Sequence, residues 1–81
     1  MRWYVKLLKE DESRIFIAYS YEENSLCDGV LEYNKGKHDI TIEKMSEGAD
    51  EFATKWLFSQ IHGLLRRDGR IPEEKKCICI G

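Results

Sequence analysis

The sequence predicts an α+β fold in the order β-β-β-β-α-β, and three observations carry that prediction. Four early segments alternate apolar and polar residues with the period of a strand. One long later segment repeats its apolar residues with the period of a helix, and a short alternating run ends the chain. Strands joined by short turns make a mainly antiparallel sheet with one apolar face to bury, and a single amphipathic helix can cover it.

The first strand runs from Arg2 to Lys9, with Trp3, Val5 and Leu7 set against Arg2, Tyr4 and Lys6. The second, Arg14 to Tyr21, is rich in β-branched and aromatic residues. Trp3, Val5 and Leu7 share odd numbering with Ile15, Ile17 and Tyr19. Placing both sets on one face requires an odd number of loop residues, three or five. In the register this implies, Leu8 lies directly across from Phe16. Val30 to Asn34 and Asp39 to Lys44 form the next two strands, with Leu31, Tyr33, Ile40 and Ile42 inward.

The helix follows. Phe52, Ala53, Trp56, Leu57, Ile61, Leu64 and Leu65 fall on one broad arc, with Phe58 at its margin; Glu51, Lys55, Ser59, His62 and Arg66 lie opposite. Ser46, Gly48 and Asp50 compete as N-cap, Arg66 and Arg67 suit the C-terminal end of the dipole, and Gly69 is a natural terminator. About 20 residues give roughly 30 Å of helix, enough to span the strands. The last strand begins at Lys76. Antiparallel addition beside the first strand gives the order 5-1-2-3-4, and a parallel crossover beside the fourth is the alternative.

Eighty-one residues make a single domain spanning 1–81. A chain this short buries only about 60 % of its unfolded surface, so its stability margin is thin. Charged residues make up 35 % of it, but the net charge is only −2, which argues against a general nucleic-acid coat or a basic membrane anchor. Three cysteines are an odd number for a disulfide framework, and the apolar runs are too short to span a membrane. The expectation is a cytoplasmic chain with reduced thiols and no membrane association.

Cys77 and Cys79 flank Ile78 in the last strand. Strand residues two apart have Cα atoms about 6.6 Å apart, whereas tetrahedral zinc wants sulfurs about 3.8 Å from each other. The two thiols are therefore not expected to converge, and neither metal, disulfide nor cofactor is expected; Ile78 and Ile80 are expected inward. His38 and His62 read as exposed, with no partner at a catalytic spacing. Enzymatic activity is accordingly not expected.

Two surfaces remain. The sheet face away from the helix should carry Tyr4, Leu8, Phe16, Ala18 and Val30, more apolar area than a solvated sheet back needs. It is the expected interface for a protein partner or a second copy, making the chain a small non-enzymatic interaction module. The other is a basic stripe of Lys55, Arg66, Arg67, Arg70, Lys75 and Lys76, which suggests phosphate contacts on nucleic acid.

Overall fold

A computed structural model describes residues 1–79. It contains β1 (Arg2–Glu10), β2 (Arg14–Tyr21), β3 (Gly29–Asn34), β4 (Asp39–Lys44), α1 (Glu51–Asp68) and β5 (Lys76–Cys79). The strands form one sheet in the order β4-β3-β2-β1-β5, with every neighbouring pair antiparallel. The expected α+β fold and strand order are thus present, and the parallel crossover is not. Ile78 pairs with Trp3 and packs against the core, while Ile80 lies outside the described residues.

The core joins Trp3, Val5, Ile15, Ile17, Tyr19, Leu31 and Tyr33 from the sheet to Leu57, Ile61 and Leu64 from α1 and Ile71 beyond it. Parity holds: Trp3 pairs with Tyr21, Val5 with Tyr19 and Leu7 with Ile17. The expected pairing of Leu8 with Phe16 does not hold, because the register shifts between Leu7 and Lys9 and sets Lys9 opposite Phe16. Asp11 N–H donates to the Arg14 carbonyl at 2.9 Å, closing the hairpin one step out of the register seen deeper in the strands. The bulge at Leu8 absorbs that step and returns the odd-numbered residues of both strands to one face. Asp11 also accepts from the Ser13 and Arg14 N–H groups, both at 2.8 Å, and these bonds hold its carboxyl below the usual carboxylate range.

The helix departs from its expected rotation. Asp50 is the N-cap, accepting Ala53 N–H at 2.7 Å, and Gly69 closes the end with a φ of 73° and a bond to Leu65 O. Between these caps the buried residues are Ala53, Thr54, Leu57, Ile61 and Leu64. Phe52 and Trp56, expected inward, are 70 % and 48 % exposed. The apolar arc read from the sequence spans roughly 220° at 100° per residue, wider than one sheet face can cover. The sheet takes only the half centred on Leu57 and Ile61.

Tyr19 decides which half. Its phenol oxygen accepts the Ser46 N–H at 3.1 Å and lies 3.4 Å from Thr54 Oγ1 and 3.3 Å from Met45 Sδ. Thr54 donates back to the Asp50 carbonyl at 2.7 Å. Tyr19 and Thr54 are fully buried, so turning Thr54 outward would leave a phenol with one fewer polar neighbour in the core. Gly29 lets the chain pass close to this ring: a Cβ there would stand 2.4 Å from Tyr19 Cε1 and 2.8 Å from Ser46 N.

The same corner is tied from outside. Asp28 accepts the Ser46 hydroxyl at 2.6 Å and the Asn24 amide at 3.1 Å, clipping the β2–β3 connection to the segment before α1. The Ser46 bond holds the Asp28 carboxyl below its ordinary value against the opposing effect of burial. A depressed folded-state pKa contributes stability that is complete above the unfolded value and is lost as pH falls through the folded one. Asp28→Asn should therefore be less stable than the parent at neutral pH, with the difference shrinking once pH drops below about 4; denaturation midpoints across pH measure it. Gly29→Ala should lower stability by about 1–3 kcal/mol through overpacking against Tyr19 and the Ser46 backbone, read from the urea midpoint at constant slope.

Candidate functional site

The sheet face away from α1 carries the residues expected there, but most are shielded. Ala18 is only 1 % exposed, sitting between Lys6 and Val30 as its paired neighbours. Phe16 lies beneath two cations, Lys9 Nζ at 4.7 Å and Arg14 Cζ at 5.4 Å from its ring centroid. Arg14 also bridges to Glu32 at 3.0 Å, and the nearness of that same Glu32 carboxylate pushes the Glu43 carboxyl up. Tyr4 and Val30 are half-buried, with Lys75 Nζ 5.5 Å from the centre of the Tyr4 ring. Leu8 stands out at the bulge, 48 % exposed. The face is more charged and better covered than alternation alone suggests.

The basic residues do not form one stripe. Lys55 is held by Glu51 at 3.2 Å on the first turns of α1, while Lys75 donates to the Ser25 carbonyl at 3.0 Å. Arg70 borders a cleft with Asp68 and Pro72, Arg66 lines a different one, and Arg67 and Lys76 are exposed. The helix geometry alone puts Lys55 and Arg66 about 16 Å apart.

Arg66 stands beside a group that sequence spacing did not disclose. A cleft of about 380 Å³ between the β3–β4 hairpin and α1 is lined by Tyr33, His38, His62, Leu65 and Arg66. Tyr33 Oη and His38 Nδ1 are 2.9 Å apart, and the His62 ring meets the Tyr33 ring edge-on at 5.8 Å. His38 reaches the tyrosine from a left-handed backbone position (φ 59°) in the turn. The histidines are 24 residues apart in the chain, and only the packing of α1 across β3 brings them to one ring.

On the outer face of α1, Phe52 and Trp56 meet edge-on with centroids 6.3 Å apart, and they line a shallow depression with Lys55 and Ser59. Lys55 also borders a groove formed by Ile40, Ile42, Met45 and Phe58 between the edge strand β4 and the helix. The two depressions meet at Lys55, whose ion pair with Glu51 separates the groove at the sheet edge from the aromatic pair on the helix. Aromatic side chains this exposed are costly to leave in water and are enriched where proteins bind one another.

Comparison with protein-family models, with curated proteins and with solved structures returned no match in any of the three.

Position therefore has to speak for itself. Among the described residues, no helix is long and apolar enough to cross a membrane, and no group of three or more His, Cys, Asp or Glu side chains is placed to hold a metal ion. All three cysteines are free thiols. Cys27 sits apart, its N–H bonded to Ser20 Oγ at 3.1 Å. Cys77 and Cys79 project from β5 on the face away from the helix, across from Tyr4 and Arg2. Their sulfurs are 3.7 Å apart, which corrects the expectation that they would not converge. Strand pairing fixes the Cα positions, but the two side chains lean toward each other along the strand.

Proposed function

We propose that this chain is a small non-enzymatic interaction module whose partner, a second copy included, docks on the outer face of α1. The observation that carries the reading is the exposed aromatic pair Phe52 and Trp56 beside the Ile40, Ile42, Met45 and Phe58 groove. Neither ring belongs to the core. Interface energy concentrates in a few large side chains with tryptophan foremost, and a rim of charge such as Glu51 and Lys55 keeps such a patch soluble when unoccupied. Three free thiols suit a reducing compartment such as the cytoplasm.

The sheet face around Tyr4, Leu8, Phe16, Ala18 and Val30 is the second surface, supported by the exposed Leu8. Phosphate binding through Lys55, Arg66, Arg67, Arg70, Lys75 and Lys76 has less behind it, since Lys55 and Lys75 are already engaged within the chain.

Sedimentation over a concentration series tests the assignment. The parent chain should associate reversibly, and Trp56→Ala should weaken association by about 2 kcal/mol, roughly thirtyfold in Kd, with the melting temperature little changed. Phe16→Lys should leave association intact. Loss of association in Phe16→Lys alone would move the interface to the sheet, and a parent chain that stays monomeric throughout would remove self-association.

A further inference from the structure

We propose that Cys77 and Cys79 form a two-thiolate site for a soft, low-coordinate metal ion of the Cu(I) class. The two sulfurs lie 3.7 Å apart on an exposed edge strand whose backbone is fixed by pairing with β1, Tyr4 opposite Cys77 and Arg2 opposite Cys79. With metal–thiolate bonds of about 2.3 Å, that separation subtends roughly 107° at one ion; the near-linear arrangement of two-coordinate Cu(I) needs the sulfurs about 4.5 Å apart, which the exposed side chains reach by rotating while the paired strand stays in place. A disulfide is less well served. It requires sulfurs about 2.05 Å apart and Cβ atoms near 3.8 Å, closer than strand residues two apart stand without bending the backbone.

The identity of the ion follows from the number and type of ligands. Two thiolates select soft cations, and Cu(I) is satisfied at low coordination number. Structural zinc takes four ligands, and among the described residues no group of three or more His, Cys, Asp or Glu side chains is placed to hold a metal. Binding converts two thiols to thiolates and releases two protons, with no change of oxidation state. Arg2 stands on the same face, opposite Cys79, and among the described residues its buried Nε has no hydrogen-bond partner. Partial desolvation and the neighbouring Cys79 push the Cys77 thiol up, with the Arg2 charge opposing them, so metal and proton compete for the site. The exposed position of both thiols leaves the outer side of the ion open, as an exchangeable site requires.

The test is an anaerobic titration of the reduced full-length chain with Cu(I), against a chromogenic Cu(I) chelator as competitor. The expected result is one Cu(I) per chain, with Cys77→Ser and Cys79→Ser each weakening binding by more than about tenfold and Cys27→Ser leaving it unchanged. Cys77 and Cys79 are both exposed, and circular dichroism should show the fold retained in the variants. Failure to compete with the chelator would overturn the proposal. So would equal loss in Cys27→Ser, retention in either single β5 variant, or displacement of Cu(I) by equimolar Zn(II).

Discussion

The buried hydroxyl of Tyr19 is the constraint on which the rest of the molecule turns. A phenol in an apolar core must be met by polar partners, and here they come from three places at once: the backbone of Ser46, the Thr54 side chain and the Met45 sulfur. Thr54 can reach the phenol only if it faces the sheet, and that choice sets the rotation of α1. Leu57, Ile61 and Leu64 follow it into the core, and Phe52 and Trp56 are carried to the outside. Gly29 is required by the same ring, since any side chain there would collide with it. The Asp28–Ser46–Asn24 cluster then ties the surrounding loops to this corner.

Much of this fold is legible in the sequence, and the reasons are local. Period-two alternation marks each strand, Asp50 and Gly69 have the chemistry of helix caps, and odd numbering identifies the face shared by β1 and β2. The errors arise where a decision depends on distant partners. The bulge at Leu8 has no residue signature, because a leucine alternates as well in register as out of it; only closure of the turn at Asp11 and Arg14 demands the extra residue. The helix rotation is not legible from apolarity alone, because polar satisfaction decides it. Thr54 looks like a surface residue until the tyrosine that needs it is known. The convergence of His38 and His62 on Tyr33, and of two sulfurs on one strand face, is likewise a matter of packing and rotamer rather than spacing.

These departures redistribute the surface. The face opposite the helix keeps a small floor at Ala18 and Ser20 under longer neighbours, and cations cap its one phenylalanine. The outer face of the helix, expected to be polar, instead carries the most accessible aromatic side chains. The proposed protein-binding surface thereby lies on the helix side, and the proposed thiolate site on the opposite face at the β5 edge. The two proposals rest on different elements and can be separated by substitution.

The rotation of α1 fixes which aromatic side chains reach solvent, and it can be measured directly. The chain has two tryptophans, Trp3 fully buried and Trp56 half exposed, and each gives one indole N–H resonance. A soluble paramagnetic agent added to the dilute labelled protein distinguishes them by solvent access. The expected result is strong attenuation of the Trp56 signal, near-complete protection of Trp3, and progressive protection of Trp56 as protein concentration rises. A Trp56 signal as protected as Trp3 at high dilution would contradict the rotation, and with it the interface placed on that face.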